Sequence, residues 1–337
     1  MIQSIPMKAP WGLGLSKNLK YNQVKSVTIE GNKYAMFRKN DGKVSLIDGV
    51  CPHRGADLTK GKMTKSGCVQ CPYHGWEFDD AGSLVKVPSL KNNCGVPQKG
   101  SVSGYDVVES GGFIWLTEDD MPLPTTLCDE LFDRQWTRIY GSKVLEGNVV
   151  DWIMNGVDVS HINYVHDFAN EDNGKVDDVM IEPHYAGCEV DADVECIDMN
   201  YVDCYANVKP KASSNFTEHM QPDNGSEIHS RFIAPNTTAI RIKLKEPYEF
   251  ITFTTLLPVD KNHTKMSWCL LYPKNFVLDL PFVFKRFYNE MYKTVAQDEE
   301  IIKGLTPVEY NVNVPCDMYQ IEALKMIGLS HTFGKNQ

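Results

Sequence analysis

The stretch that decides the reading is "CPHRGADLTKGKMTKSGCVQCPYHGW", residues 51–76. Cys51 and His53 stand one residue apart, and Cys71 and His74 two apart, with proline and glycine around each pair. Two thiolates and two imidazoles on two short loops suggest one object gripped from both sides. Structural zinc is the first candidate, because four-coordinate Cys₂His₂ sites are common. Zinc loops, however, open with Cys-x₂₋₄-Cys or close with His-x₃₋₅-His. Cys68 and Cys71 do form a Cys-x-x-Cys, yet no second pair completes such a site, which leaves Cys68 as an ordinary strand residue.

The bulk numbers set limits. At 337 residues the chain can build two domains with proper cores. Its 42% hydrophobic and 23% charged content is that of a globular protein. A net charge of −10 argues against a nucleic-acid binder, which needs a basic stripe to neutralise phosphates. No apolar run reaches the ~18 residues of a membrane span, and the first residues lack the pattern of a secretory signal. The ten cysteines are therefore expected as reduced thiols in the cytoplasm, some of them ligands.

Residues 20–118 read as short strands joined by tight turns. "YAMFRK" and "KVSLID" flank Asn40-Asp41-Gly42, "WEF" and "LVKV" flank "DDAGS", and "YDVV" and "FIWLT" flank "ESGG". This is an all-β unit, expected over residues 1–120, that offers the 51–76 stretch as two loops. "EDDMPLPTT" (118–126) reads as a linker. Over 121–337 the pattern is α+β. A helical stretch at 147–168 has Val149, Ile153 and Val157 on one face, strands alternate through 185–272, and a long helix is predicted over 280–305.

With both loops read as ligand pairs, "CPHRG" and "CPYHGW" look like the two loops of a Rieske [2Fe–2S] site. There two cysteines hold one iron and two histidines the other. Neutral imidazoles in place of thiolates reduce the cluster's negative charge and raise its potential. Respiratory Rieske proteins add a disulfide through a cysteine just after a ligand in each loop. Ala56 and Tyr73 stand at those positions here, so that disulfide cannot form.

A second concentration of ligands follows at Asn155, Asp158, His161 and His166. Histidines five apart do not share a face of a regular helix, so a helix that distorts or ends between them is needed to bring both imidazoles to one metal. Two histidines and one carboxylate on one face of an iron ion, with positions left open, are the ligands of non-heme Fe(II) oxygenases. Along most of its length the chain now resembles the terminal oxygenase (alpha) component of Rieske non-heme iron oxygenases. Their signature, Asn-x-x-Asp-x-x-His-x₄-His, is matched position by position.

That resemblance implies a helix-grip catalytic domain, an antiparallel sheet curved around helices, and a mononuclear Fe(II) held by His161, His166 and a late aspartate. In "VAQDEEII" Asp298 is the choice, with Glu299 and Glu300 as rivals. Asp158 is implied as a carboxylate between an iron-bound histidine and His74 of a neighbouring subunit, orienting both rings, in a head-to-tail homotrimer. Asn155 is either a near-iron residue or a local helix-shaping one. The implied reaction uses O₂ to hydroxylate, oxidatively demethylate or desaturate a small organic substrate. No glycine-rich phosphate loop follows a strand, so electrons are expected from a separate ferredoxin or a flavin/iron–sulfur reductase. Two other readings stand beside this one: the chlorophyll-pathway branch of these oxygenases, and a Rieske electron-transfer or redox-sensing protein with a non-catalytic ligand-binding domain. His184, His219, His229, His263 and His331 belong to no pattern. Neither do Cys94, Cys128, Cys188, Cys196, Cys204, Cys269 and Cys316, and Trp115, Trp152 and Trp268 are expected in the core.

Overall fold

A computed structural model of the chain describes residues 10–29, 31–90, 95–117, 121–166, 176–185, 199–208, 222, 225–246, 248–275, 279–306 and 312–328. Two compact units emerge: residues 1–123 with 257–265, and residues 124–256 with 266–337.

The first unit is built from β1 (Trp11–Leu15), β2 (Val24–Ile29), β3 (Asn32–Arg38), β4 (Val44–Asp48), β5 (Lys62–Met63), β6 (Val69–Gln70), β7 (Glu77–Phe78), β8 (Leu84–Lys86), β9 (Gly104–Tyr105), β10 (Val107–Ser110) and β11 (Phe113–Leu116). They form three small sheets, β1-β11-β10, β2-β3-β4-β9 and β5-β6-β7-β8. All three expected hairpins are present, as β3–β4, β7–β8 and β10–β11. Successive side chains of a strand point to opposite faces, and β3 and β4 use both. Tyr34, Met36 and Leu46 pack with Leu13, Ile114 and Leu116 on one side. Ala35, Phe37 and Ile47 pack with Cys51, Cys71 and Phe78 on the other. The second cluster roots both ligand loops in the core. Residues 257–265 belong to this unit, where Leu257 joins the first cluster and Lys265 Nζ donates to the Leu13 carbonyl at 3.0 Å.

The second unit has one seven-stranded sheet, made of β12 (Trp136–Glu146), β13 (Val176–His184), β14 (Tyr201–Val208), β15 (Ser226–Ile233), β16 (Thr237–Lys243), β17 (Glu249–Asp260) and β18 (His263–Pro273) in the order β12-β18-β17-β16-β15-β14-β13. Neighbours from β13 to β17 pair antiparallel. Its helices are α1 (Val149–Gly156), α2 (Ile162–Val165), α3 (Pro281–Gly304) and α4 (Met318–Met326). One apolar cluster joins Val202, Cys204, Phe232 and Leu256 of the sheet to Trp152 and Ile153 of α1, Ile302 of α3, and Tyr319 and Ala323 of α4. Each large side chain buried there stabilises the unit by roughly 1.5–3 kcal/mol. Trp115, Trp152 and Trp268 are all buried, as expected of core anchors.

Two local expectations change. The helical stretch at 147–168 is broken into α1 and α2, and the break carries the chemistry described below. The proposed linker is packed where it is described: Pro124 and Thr125 are buried in a short 3₁₀ turn. Among the described residues no helix is long and apolar enough to cross a membrane.

Candidate metal centres

The two loops of the first unit share one backbone design. Cys51 N–H donates to the Ala56 carbonyl (2.8 Å), and Gly55 N–H donates back to the Cys51 carbonyl (2.9 Å). Cys71 N–H donates to the Trp76 carbonyl (2.7 Å), and Gly75 N–H to the Cys71 carbonyl (3.1 Å). Gly55 and Gly75 close these loops at φ +71° and +70°, which only glycine adopts without strain. The loops thus match in backbone but differ in where histidine falls, third in one and fourth in the other.

Cys51 and Cys71 are buried, His53 is half-buried and His74 is exposed. Burial, followed by the neighbouring Cys71 thiol, pushes the Cys51 thiol upward. The His53 and His74 rings lie 4.6 Å apart between centroids. Burial, then the nearby His74 and Arg54, holds His53 below its ordinary pKa. His53 Nδ1 is buried without a hydrogen-bond partner, a costly arrangement unless something else satisfies the atom. Ligands of a single tetrahedral zinc would sit about 3.3–3.8 Å from one another, given its bond lengths. No three of the donors of Cys51, His53, Cys71 and His74 lie within 4.8 Å of one another. The four donors are too widely spread for one zinc and fit a two-iron cluster, thiolates on one iron and imidazoles on the other.

In the second unit the break between α1 and α2 is made by Asp158. Its Oδ1 accepts from Ser160 N–H (2.7 Å), Ser160 Oγ (2.6 Å) and His161 N–H (3.3 Å), which restarts the helix one turn later. Its other oxygen makes no hydrogen bond among the described residues. His161 then stands at the start of α2 and His166 at its end, where the backbone turns extended (φ −104°, ψ 134°). That turn lets two histidines five apart face one point. His161 Nε2 and His166 Nε2 lie 3.5 and 3.4 Å from Asp298 Oδ1 on α3, and Asn155 Nδ2 lies 3.3 Å from the same oxygen.

Within this group the ligand atoms of His161, His166 and Asp298 all fall within 4.8 Å of one another. Two ligands ~2.1 Å from one ion and at right angles stand about 3 Å apart, so the separations suit a shared cation. The charge balance suits one too. Asp298 is 8% exposed, and among the described residues no lysine or arginine pairs with it. A buried carboxylate without a cation is costly. His161 is held above its ordinary pKa: burial opposes the imidazolium, but Asp298 and Asp158 together outweigh it. The remaining ring nitrogens are anchored, His161 Nδ1 on the Asp158 carbonyl (2.6 Å) and His166 Nδ1 on Gln297 Oε1 (3.3 Å). Gln297 is a supporting residue that sequence reading missed, although it immediately precedes Asp298.

The rival carboxylates point elsewhere. Glu299 accepts from Lys143 Nζ (2.6 Å) and Glu146 N–H (3.0 Å) of β12, and Glu300 is exposed. Of the remaining histidines, His229 bonds Asp203 (2.7 Å), His184 lies 3.7 Å from Asp203, and His263 bonds Asp260. Asp203 is also held by Arg231 through two hydrogen bonds, so a cation is already in place there. That cluster borders a cavity of about 340 Å³, lined also by Cys128, Glu130 and Arg241. His219, His331, Cys94, Cys188 and Cys196 lie outside the described residues. The described cysteines outside the loops, Cys68, Cys128, Cys204, Cys269 and Cys316, form no disulfide among the described residues.

A cysteine–histidine loop pair on a small β unit, and a two-histidine, one-carboxylate group on an α+β unit, define the Rieske oxygenase class. Residues 11–106 match the Rieske [2Fe-2S] domain, and residues 151–328, more than half of the chain, match the vanillate O-demethylase oxygenase C-terminal domain. The chain belongs to the Rieske non-heme iron oxygenase family with that C-terminal domain. A cholesterol 7-desaturase from Hemicentrotus pulcherrimus is 30% identical over 157 residues, 45% of this chain and 34% of that protein. The matched segment is thus about a third of that relative's length. Dicamba monooxygenase bound to 3,6-dichlorosalicylic acid superposes with a TM-score of 0.74 at 18% identity, covering 99% of this chain and all of that one. NdmB of Pseudomonas putida CBB5 gives 0.74 at 17%, covering 96% and 90%. These two likenesses are of fold.

Proposed function

We propose that this chain is a terminal oxygenase that takes electrons from a separate ferredoxin or reductase. It uses O₂ to hydroxylate, oxidatively demethylate or desaturate a small organic substrate. The observation that carries this reading is the presence of two separate ligand sets on one chain, one suited to a cluster and one to a single cation. When bound, the two groups supply one-electron relay and activation of dioxygen at ferrous iron. An electron carrier would need only the first.

The residues have distinct tasks in this reading. Cys51 and Cys71 would hold one iron of the cluster from inside the core, and His53 and His74 would hold the other, with His74 exposed at the surface where charge could enter or leave. His161, His166 and Asp298 would hold the mononuclear ion, which when bound would supply activation of dioxygen. Asn155 donates to Asp298 and fixes the carboxylate's orientation. Gln297 and the Asp158 carbonyl hold the outer nitrogens of the two imidazoles, which sets which nitrogen faces the metal.

The finer assignments follow the same reasoning. The second oxygen of Asp158 and the exposed His74 imidazole are the pair that a head-to-tail homotrimer would join. The ring-closing contact would run from one protomer's cluster to its partner's iron. A reducing compartment such as the cytoplasm, which keeps thiols available as ligands, belongs to the same reading. The cholesterol 7-desaturase among the relatives supports desaturation, and the match to the vanillate O-demethylase oxygenase C-terminal domain supports oxidative demethylation. The test is single turnover. Protein reduced anaerobically, mixed with O₂ and a panel of sterols, N-methyl and O-methyl compounds, should consume O₂ in a substrate-dependent way and release an oxidised product. Reoxidation at one slow rate whatever the compound, with no product, would leave only electron transfer.

A further inference from the structure

Trp76 closes the second loop motif, yet none of the tasks above needs it. Its ring lies flat on the His53 imidazole of the other loop, with centroids 4.4 Å apart and planes within 6°. The backbone fixes that position, because the Trp76 carbonyl accepts the Cys71 N–H at 2.7 Å. A glycine at position 100 makes room for the ring, since a Cβ there would lie 3.1 Å from Trp76 Cζ3. Among the described residues the other histidine has no stacked cover: His74 is exposed, meets the edge of the His53 ring, and lies against Tyr73, itself 65% exposed and tilted by 34°. The two imidazoles of one cluster are therefore kept in different surroundings.

We propose that Trp76 is a positioning residue that lowers the reduction potential of the cluster by covering the face of His53. This rests on the cluster assignment above. With two ferric ions, two sulfides, two thiolates and two neutral imidazoles, the oxidised centre has no net charge. One electron from a donor such as dithionite makes it −1. Water stabilises the charged, reduced form, so the indole that keeps water from His53 disfavours reduction. The negative face of the indole also attracts the imidazole most when its iron is ferric, which stabilises the oxidised form further. Both effects point the same way and make the cluster a stronger reductant toward the next centre.

The experiment is a dithionite titration of full-length protein, followed by circular dichroism and electron paramagnetic resonance, for wild type, Trp76→Ala, Trp76→Leu and Trp76→Phe. Trp76→Ala and Trp76→Leu should titrate at higher potential with iron and sulfide content intact, while Trp76→Phe, which keeps a stacked ring, stays near wild type. Leucine fills most of the space and keeps the test decisive if the alanine protein loses its cluster. Unchanged or lowered potentials in cluster-replete Trp76→Ala or Trp76→Leu would overturn the proposal. A wild-type protein without a Rieske spectrum would instead overturn the cluster assignment.

Discussion

Adjacent carboxylates on α3 should behave oppositely when removed, and the structure sets the sizes. Glu299 is 9% exposed and accepts Glu146 N–H and Lys143 Nζ. Glu299→Ala leaves a backbone N–H without its charged acceptor, a loss of about 1.5–3 kcal/mol. Lys143 is 39% exposed, so the ion pair adds only ~0.5 kcal/mol after screening. At about 2–4 °C per kcal/mol for a unit of this size, the melting temperature should fall by roughly 4–14 °C with the mononuclear iron retained. Asp298→Asn removes a buried charge whose near neighbours are two imidazoles and an amide. Metal-free Asp298→Asn protein should melt no lower than metal-free wild type at pH 8, yet fail to hold the mononuclear iron. Calorimetry with iron analysis on both variants decides it. Iron lost from Glu299→Ala but kept by Asp298→Asn would refute the reasoning.

Three further outcomes are expected. Asp158→Asn should keep both metals and fold normally, since an amide oxygen can still cap α2, but slow reoxidation of the reduced cluster in the presence of O₂ and substrate; stopped-flow traces identical to wild type would remove Asp158 from the electron route. Gly141→Ala sets a Cβ against the buried ring of Trp268 and should cost about 1–3 kcal/mol or more by overpacking, read as a lowered urea midpoint; an unchanged midpoint would show that the ring can move. Lys43 and Lys39 pull Asp80 down to about 2. A lowered carboxylate stabilises the fold fully above its unfolded pKa near 3.8, and that contribution is lost as pH falls through about 2. Because Lys43 is 63% exposed, the contribution should be near 1 kcal/mol. Asp80→Asn should therefore lower stability at pH 6, with the difference shrinking towards zero as pH falls through about 2, measured by denaturant titration across that range.

Much of this was legible because turns and ligands announce themselves locally. Asn40-Asp41-Gly42 marks a hairpin whatever surrounds it, as Gly42 at φ +92° bears out. Cysteine and histidine spacing likewise marked the loops of the first unit. What was illegible depends on distant partners. In "VAQDEE" three consecutive carboxylates look alike, and only the ~100° turn per helical residue sends Asp298 to the histidines, Glu299 to β12 and Glu300 to solvent. The break between α1 and α2 hid in Asp158, because a helical aspartate and a capping aspartate read the same until Ser160 and His161 are seen to donate to it. Strand β12 carries Gly141 at its centre, a residue that weakens strand patterns. It is tolerated because Trp268 occupies the space its side chain would need. Helix α4 is short, with the buried Glu322 interrupting its apolar face, so no periodic signal marked it.

Iron counting joined to spectroscopy reaches the central claim most directly. Anaerobically reconstituted wild-type protein should contain about three irons and two sulfides per chain, and His161→Ala about one iron fewer with an unaltered Rieske spectrum. Two irons in both proteins, or zinc bound where His161, His166 and Asp298 meet, would contradict a second, oxygen-activating centre on this chain.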